Sequence, residues 1–200
     1  MPTVNFNDAP HPVNTIYCIG RSYTEHIHEL GNEAPTEPLV FLKPNSSIVT
    51  GNTIILPDFS DDIHHEIELA LLIGNSQSII GVAAGLDLTA RDIQNTCKQK
   101  GLPWLKAKGF KHSCWLGNFK PFVDQAYRLT LTVNGDVRQD DSTDKMRYDV
   151  SYLVKHLDEL YGLTAGDIIM TGTPKGVGRL TKGDELIVSF DDETHHLLIA

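Results

Sequence analysis

Two glutamates stand two residues apart in an otherwise apolar stretch of the chain. Glu66 and Glu68 alternate with aliphatic residues in the run His64-His65-Glu66-Ile67-Glu68-Leu69-Ala70. Because a β-strand directs alternate side chains to opposite faces, both carboxylates point the same way if the run is a strand. Two half-buried like charges repel each other and lose hydration, and a divalent cation reverses that cost. The pair is therefore a candidate metal site, although the solvated face of an edge strand is the alternative.

A second polar segment favours the metal interpretation. The run from Asp87 to Gln94 contains an acid, an arginine, a second acid and a glutamine. Asp87 can supply a third carboxylate, and a carboxylate set with open positions suits Mg²⁺, Mn²⁺ or Ca²⁺ rather than zinc, which prefers Cys and His. Arg91 and Gln94 lie three residues apart on a predicted helix, so they share one face.

A short helix is predicted between Gly20 and Gly31. The run Ser22-Tyr23-Thr24-Glu25 resembles a capping box, and the second glycine is a helix stop. His26 and Glu29 are three residues apart and within reach of each other. A helix of about two turns is marginal in water, so we expect it to order when something docks on it. The alternative for both side chains is an ordinary surface position.

The remaining patterns predict a β-rich α+β fold in one domain with mostly antiparallel sheets. Apolar runs predict strands at 15–19, 39–42, 64–73, 78–82, 129–133, 168–170, 185–190 and 194–199. Asn134-Gly135 predicts a tight hairpin turn, and Ser47–Leu56 predicts a second hairpin. A stripe of apolar residues predicts a helix over Asp149–Tyr161. Leu102–Pro121, with its prolines, glycines and lysines, predicts a long structured loop.

The glycine-rich segment from Thr171 to Gly178 has two interpretations. It lacks the spacing of a phosphate-binding Walker loop. Its glycines either supply positive φ in a tight loop or present N–H groups to a carboxylate. Lys108 is either a cation beside the metal or a solvated loop lysine. His64 and His65, beside the acids, are interpreted as hydrogen-bonded structural residues.

Composition excludes several classes of function. The chain has 200 residues and a formal net charge of −9, with no basic stripe, so nucleic acid is not an expected partner. Three cysteines without a paired spacing indicate a reducing compartment. No signal peptide or membrane span is recognised, and we expect a cytoplasmic protein.

Seven motifs, in their order along the chain, resemble those of the fumarylacetoacetate hydrolase family. The matching segments are Gly20-Arg21-Ser22-Tyr23-x-x-His26-x-x-Glu29, Phe41-Leu42-Lys43-Pro44, His65 to Leu69, Leu86 to Gln94, Leu105 to Phe110, Val133-Asn134-Gly135 and Thr171 to Gly178. The resemblance extends from about Ile16 to Phe190. It is greatest to the small acylpyruvase branch, which also includes oxaloacetate decarboxylases and tautomerases.

The resemblance implies a mixed β-sandwich roll with a few short helices, usually a homodimer. It implies one catalytic domain over residues 1–200, with 1–14 as an N-terminal extension and 22–31 as a lid helix. The site residues that it implies are Glu66, Glu68 and Asp87 as ligands of Mg²⁺ or Mn²⁺, His26, Glu29 and Lys108 as catalytic residues, and Arg21, Arg91, Gln94 and Thr173 as contacts to a small 2-oxo acid.

The function that we expect from the resemblance is metal-dependent hydrolysis of the C–C bond of 2,4-dioxo acids, giving pyruvate and a carboxylic acid. The alternative is an oxaloacetate decarboxylase or keto–enol tautomerase. A non-catalytic protein that binds metal or 2-oxo acids is an alternative of another class. The sequence departs from the family at Lys108-Gly109-Phe110, where Lys-Ser-Phe is commoner, and in a short 74–87 segment. It also has Asp191 to His196 where the family usually has a terminal glycine turn.

Overall fold

The computed structural model describes residues 2–200, in which strands predominate and four short α-helices occur. The first nine strands are β1 (Thr3–Phe6), β2 (Ala9–Pro12), β3 (Ile16–Gly20), β4 (Leu39–Lys43), β5 (Thr53–Ile54), β6 (Ile63–His65), β7 (Ile67–Ile73), β8 (Ile79–Asp87) and β9 (Thr89–Ala90). The others are β10 (Cys114–Leu116), β11 (Lys120–Pro121), β12 (Arg128–Val133), β13 (Asp136–Ser142), β14 (Ile168–Met170), β15 (Gly178–Arg179), β16 (Glu185–Phe190) and β17 (Glu193–Ile199). The helices are α1 (Thr24–Glu29), α2 (Arg91–Lys100), α3 (Leu105–Lys108) and α4 (Val150–Tyr161).

The strand that carries Glu68 lies inside the largest sheet. This sheet has seven strands in the order β10-β8-β7-β14-β3-β4, with β11 also paired to β8. All seven residues of β7 are buried, as expected of an apolar strand covered on both faces. Its pairings are antiparallel, whereas β14 pairs with β3 in parallel. The edge-strand alternative for Glu66 and Glu68 is therefore wrong.

A second sheet packs on the first across the main apolar core. Its five strands follow the order β13-β12-β16-β17-β5. Leu69 and Leu71 from β7 belong to the same buried cluster as Leu129 and Leu131 from β12. A three-stranded sheet, β15-β6-β9, joins the two near the acidic residues. The predicted β-rich α+β class with few short helices is confirmed.

Residues of the predicted N-terminal extension form a hairpin against the outer face of the large sheet. β1 pairs antiparallel with β2 through a turn in which Asn7 and Asp8 have positive φ. Val4 and Val13 are buried in a second apolar cluster with Ile16 and Met170. The segment thus covers the face of the large sheet opposite the main core.

Local turn and cap signals gave correct elements. β12 and β13 form the hairpin predicted at Asn134-Gly135, where both residues have positive φ. The side chain of Asp149 accepts a hydrogen bond from the N–H of Tyr152 over 2.7 Å and caps α4. The buried face of α4 is narrower than predicted, because Leu160 is 58 % exposed. No helix between residues 2 and 200 has the length and apolar character needed to cross a bilayer.

Predictions that ignored distant partners failed. Ser47–Leu56 is not a hairpin, because Val49 bonds to Cys114 while β5 pairs in parallel with β17. The two arms of the predicted hairpin therefore follow different sheets. Within 102–121, predicted as a loop, lie α3, β10 and β11, each too short for its periodicity to be recognised.

Two predictions around the candidate site residues are also corrected. The single strand predicted through 64–73 is interrupted at Glu66, where the chain passes from the three-stranded sheet to the seven-stranded one. The capping box at the start of α1 is wrong, because the N-cap residue is Tyr23 and no side chain caps the helix. Glu25 instead pairs with Lys175 over 2.7 Å.

Candidate active site

The three acidic residues meet where strands end or break. Glu66 lies between β6 and β7, Glu68 is on β7, and Asp87 is the last residue of β8. The N–H of Asp87 donates to the carbonyl of Glu66 over 2.9 Å, which holds the two segments side by side. One oxygen from each carboxylate lies within 4.8 Å of the other two. All three residues are buried, and Glu68 is only 1 % exposed.

Buried cations compensate two of these acids. The Lys108 Nζ lies 2.7 Å from Glu66 Oε2 and 2.6 Å from Asp87 Oδ2. The Lys43 Nζ lies 2.7 Å from Asp87 Oδ1, and Arg91 pairs with Glu66. Ionised groups are tolerated in a protein interior when such pairs and hydrogen bonds surround them.

Glu68 differs from the other two acids in its environment. Among residues 2–200 it accepts a hydrogen bond from the N–H of Gly172 over 2.8 Å and forms no ion pair. Burial raises the pKa of the Glu68 carboxyl well above its usual range, and the charge of Asp87 adds to this. Burial also acts to raise the pKa of Glu66, but the charges of Lys108 and Arg91 and the hydrogen bond from Lys108 together outweigh it and hold that pKa low. Glu68 is therefore the acid of the cluster that forms no ion pair within residues 2–200, although the charge of Lys108 partly offsets the effect of burial on its pKa.

The donor set suits a hard divalent cation. The Asp87 Oδ1 has the Lys43 ammonium nearby, yet makes no hydrogen bond of acceptable geometry. This orphaned oxygen and the uncompensated Glu68 are the kind of ligands that Mg²⁺ and Mn²⁺ take. The cluster contains no Cys or His, which zinc prefers. A buried acidic triad able to bind a metal ion is thus present.

Lys43 belongs to the site although no role in it was predicted, because it was named only as part of the motif Phe41-Leu42-Lys43-Pro44. Its Nζ donates to the carbonyl of Leu88 over 3.2 Å and also to the carbonyl of Lys108. It is 1 % exposed. A lysine that closes the apolar run 39–42 directly before Pro44 is the available signal, because a cation there must be buried with a partner.

The His26–Glu29 pair lies on α1, over the acidic cluster. The His26 Nδ1 is 3.0 Å from Glu29 Oε2, as their spacing predicts. The other oxygen, Glu29 Oε1, accepts a hydrogen bond from the N–H of Gly176 over 2.9 Å. With the Glu25–Lys175 pair, two contacts join this short helix to the glycine-rich loop. The imidazole is thereby held against the cavity with a carboxylate behind it.

The predicted substrate contacts leave donors unused. The Arg91 guanidinium donates to Gln94 Oε1 over 2.7 Å, but its buried Nε has no hydrogen-bond partner among the described residues. Arg21 donates to the carbonyl of Glu33 over 3.1 Å, and its Nε is likewise without a partner within residues 2–200. Unsatisfied buried donors are costly, so an anion in the cavity would relieve both.

One cavity collects these side chains. Of the residues predicted for the site, those that line it are Arg21, His26, Glu66, Glu68, Asp87, Arg91, Gln94, Lys108 and Thr173, while Glu29 stands behind the imidazole. Lys98 and Trp104 also line it, although the sequence analysis gave them no role in the site. The cavity that all these residues line has a volume of about 30 Å³, which leaves room for a few water molecules. The predicted residues are brought together, whereas their roles stay predictions.

Both interpretations of the glycine-rich loop apply at Gly172. Its φ is +97°, and a Cβ there would lie 2.4 Å from the Ser22 Cβ. Its N–H donates to Glu68, so the carboxylate that the loop faces belongs to the protein. An alanine would be strained in backbone and crowded at once.

His65 has the structural role that was predicted for it. It is 1 % exposed, and its Nδ1 lies 3.0 Å from the Gln139 Oε1. Burial lowers the pKa of His65, which favours the neutral ring. Elsewhere, the ring of His195 on β17 packs edge-on against Trp115, with the ring centroids 5.1 Å apart.

Comparison with known proteins gives consistent matches over nearly the whole chain. The family described as fumarylacetoacetate (FAA) hydrolase, C-terminal, matches residues 15–195. Oxaloacetate tautomerase YcgM from Escherichia coli (strain K12) is 39 % identical over 197 aligned positions, with 90 % of this chain and 90 % of the relative covered. A mitochondrial oxaloacetate decarboxylase from Dictyostelium discoideum is 38 % identical over 185 positions, with 84 % of each covered.

A solved structure supports the fold. The crystal structure of fumarylpyruvate hydrolase from Pseudomonas aeruginosa, in complex with Mn²⁺ and pyruvate, superposes with a TM-score of 0.93 at 28 % identity. The match covers 100 % of this chain and 97 % of that one. The roll that the resemblance implied is confirmed. The relatives agree better with the oxaloacetate alternative than with the hydrolase that the sequence analysis placed first.

Proposed function

The chain belongs to the fumarylacetoacetate hydrolase family, and on that premise we propose that it is a divalent-metal-dependent oxaloacetate keto–enol tautomerase. One observation carries the proposal. A 39 % identical relative, matched over 90 % of both chains, is named an oxaloacetate tautomerase, and an acid–base pair faces the acidic triad here. The enzyme class follows from the family, and the reaction is our inference.

Glu66, Glu68 and Asp87 would hold Mg²⁺ or Mn²⁺. When bound, the ion supplies Lewis-acid polarisation of the carboxylate and keto oxygens of a 2-oxo acid. The fit rests on the orphaned Asp87 oxygen and on Glu68, which lacks a cation. Mn²⁺ accompanies pyruvate in the Pseudomonas aeruginosa structure, which supports the choice of ion.

The chain's own groups bind the substrate and move one proton. Arg91 and Arg21 each offer an unused N–H to substrate carboxylates. His26 takes the proton from C3 of the keto form as the C3–H electron pair becomes the C2=C3 double bond. The carbonyl π pair moves to the keto oxygen, and the Lys108 ammonium stabilises the negative charge there until the oxygen takes the proton back from His26. Ketonisation runs through the same steps in reverse. Glu29 orients the imidazole and stabilises its charged form.

A second candidate is hydrolysis of acylpyruvates, favoured by the fumarylpyruvate hydrolase structure. The same imidazole would deprotonate water instead of carbon, and the resulting hydroxide would add to the distal carbonyl carbon. The C–C bond beside that carbon would then break, leaving a carboxylic acid and the enolate of pyruvate. Both reactions place negative charge on the same keto oxygen. They differ in whether water enters the cavity.

The test is a substrate panel with purified protein and Mg²⁺ or Mn²⁺. Loss of enol absorbance of oxaloacetate, pyruvate release from oxaloacetate and cleavage of an acylpyruvate are measured separately. We expect catalysed ketonisation to exceed both other rates. If pyruvate is released from oxaloacetate as fast as the enol absorbance is lost, the enzyme is a decarboxylase and the tautomerase proposal is wrong. Acylpyruvate cleavage as the fastest reaction would restore the hydrolase.

Glu29→Gln separates the role of the acid–base pair from that of the metal. An amide does not stabilise a charged imidazole as a carboxylate does, so tautomerisation should fall about 10²–10⁴-fold in kcat. Decarboxylation requires stabilisation of the keto oxygen but no protein base, so it should fall far less. Comparable losses in both assays would show that Glu29 mainly holds α1 over the cavity.

We also propose that the chain acts as a homodimer, as the resemblance implies. Leu42 and Tyr161 are both exposed and both adjoin Tyr17, which pairs with Leu42 in the sheet and stacks on Tyr161 at 5.7 Å. A subunit contact would cover this apolar surface. Light scattering on a sizing column gives the mass directly. A monomer of 22.2 kDa at micromolar concentration would contradict this part of the proposal.

A further inference from the structure

Gln139 is a buried amide outside the predicted set of site residues. It lies on β13, a strand of mostly charged and exposed residues, yet it is 1 % exposed. Its Oε1 accepts a hydrogen bond from the N–H of Ile67 over 3.0 Å. Its Nε2 donates to Thr173 Oγ1 over 2.8 Å and to the carbonyl of Pro174 over 2.9 Å. The side chain therefore spans from the acid-bearing strand to the glycine-rich loop.

The chemistry of its partners fixes the orientation of this amide. A backbone N–H can only donate and a backbone carbonyl can only accept. Ile67 therefore requires the oxygen on its side, and Pro174 requires the nitrogen on the other. His65 Nδ1, 3.0 Å from the same oxygen, must then carry the ring proton. The Gln139 Nε2 is consequently a donor to Thr173.

This orientation determines what the Thr173 hydroxyl can do. A hydroxyl has one proton to donate and lone pairs to accept. Because Gln139 occupies a lone pair of Thr173 Oγ1, the hydroxyl proton is directed elsewhere, and Thr173 lines the cavity. The distance from this donor to the acids is also set, because Ile67 lies between Glu66 and Glu68.

We propose that Gln139 is a positioning residue that presents the Thr173 hydroxyl as a hydrogen-bond donor to a carboxylate of the substrate, in register with the acidic triad. The inference rests on the proposed function for its substrate class, a 2-oxo acid. It assigns the loop two separate tasks: Gly172 holds Glu68, and Thr173 binds the ligand.

The test is a double-mutant cycle with Gln139→Met and Thr173→Val, and Thr173→Ser as the control that keeps the hydroxyl. The probe is oxalate, bound by Mn²⁺-loaded protein and measured by calorimetry, and the KM for oxaloacetate is measured in parallel. A hydrogen bond to a charged group is worth roughly a 10-fold change in affinity, so each single variant should weaken oxalate binding by about that factor. The double variant should bind no more weakly than Thr173→Val, and Thr173→Ser should bind like the wild type.

Several results would overturn the proposal. Losses that multiply in the double variant would mean that Gln139 does not act through the hydroxyl. A fall in Mn²⁺ affinity that accounts for the whole loss would make Gln139 a support of the triad only. If Gln139→Met does not fold, a crystal structure of the wild type with Mn²⁺ and oxalate decides. In that structure Thr173 Oγ1 must contact the oxalate while it still accepts the hydrogen bond from Gln139 Nε2. A structure in which Thr173 Oγ1 does not contact the oxalate would refute the inference.

These readouts separate this inference from the proposed function. Oxalate binding needs no turnover. If the mutant cycle shows the expected coupling in oxalate binding while the wild type does not tautomerise oxaloacetate, the tautomerase proposal is overturned and the assignment of Gln139 stands.

Discussion

Lys43 neutralises charge at the centre of the molecule without facing solvent. It lies 2.7 Å from Asp87 and donates to two backbone carbonyls. We expect Lys43→Met to cost roughly 3–5 kcal/mol of unfolding free energy, because a buried carboxylate loses its cation. Urea denaturation followed by tryptophan fluorescence measures this.

The control for this variant is Lys120→Met. Lys120 pairs with Asp191 over 2.9 Å, but its side chain is 27 % exposed. A pair so near solvent contributes about 0–1 kcal/mol, and the control should lose no more than that. If the two variants lose the same free energy of unfolding, the buried Lys43–Asp87 pair stabilises the protein no more than a surface ion pair does.

Glu68→Gln should move two properties in opposite directions. The amide can still accept the hydrogen bond from Gly172, and it removes a carboxyl group whose charged form is disfavoured by burial and by Asp87. Stability without added metal should therefore rise. Mn²⁺ affinity, measured by electron paramagnetic resonance, should fall by at least about 100-fold, because a ligand matters more than its outer-shell partners. Unchanged Mn²⁺ binding would remove Glu68 from the ligand set.

At the scale of elements, α1 is the least secured part of the site. It has six residues and no side-chain cap, and beyond its own turns it is held by the burial of Ile27 and by the Glu29–Gly176 and Glu25–Lys175 contacts. The space beneath it, about 30 Å³, has room for only a few water molecules, so a four-carbon acid requires this helix to move aside and return. We propose that 22–31 is a lid.

Hydrogen exchange tests the lid. Amides of residues 24–30 should exchange quickly in the free protein and slow by about 10-fold or more with Mn²⁺ and oxalate. Amides of α4, capped by Asp149 and packed through Leu153 and Leu157, serve as the internal control and should not change. Equal protection of 24–30 in the two states would contradict the lid.

The sequence predicted those elements whose signals are local. Asn134-Gly135 specifies its hairpin because two adjacent residues that tolerate positive φ form the whole turn. Asp149 and Gly162 delimit α4 because each caps its end of the helix within a few residues. The segment 47–56 was misread because its partners lie at Cys114 and on β17, which no local pattern reveals.

The site residues divide in the same way. The charge of Glu66, Glu68 and Asp87 within apolar runs was enough to predict a metal site, whereas the roles of the catalytic residues and substrate contacts came from the family resemblance. Gln139 was missed, because a buried polar residue on a charged strand looks like its exposed neighbours. Its burial depends on Thr173 and Ile67, far away in the chain.

At the scale of the whole molecule, the charge of Lys98, which lines the cavity, makes the stability of the fold depend on pH. Its Nζ faces the Trp104 ring at 5.6 Å. Burial, helped by the charges of Arg91 and Arg21, lowers its pKa from 10.5 to about 8. The folded protein therefore holds this proton less tightly than the unfolded chain. The charge costs stability fully below pH 8, and the cost disappears as pH rises to about 10.5.

Lys98→Met should consequently be more stable than the wild type at pH 7, with a difference that shrinks steadily above pH 8. Urea midpoints at intervals from pH 6 to 10 measure it, and Lys100→Met, an exposed neighbour, is the control without a trend. If the stability difference between Lys98→Met and the wild type stays constant over this pH range, the environment of Lys98 does not lower its pKa.

The position of β14 between β3 and β7 has a consequence for the chain as it leaves the ribosome. Glu68 and Gly172 are 104 residues apart, and β14, which completes the sheet beside β7, directly precedes that glycine. At typical rates of synthesis, roughly 5–20 s pass between the two. Throughout that interval the apolar strand β7 has an open edge. Overexpressed chains should therefore aggregate most while nascent, and slower initiation or bound chaperones should raise the soluble yield more than any change to the finished site.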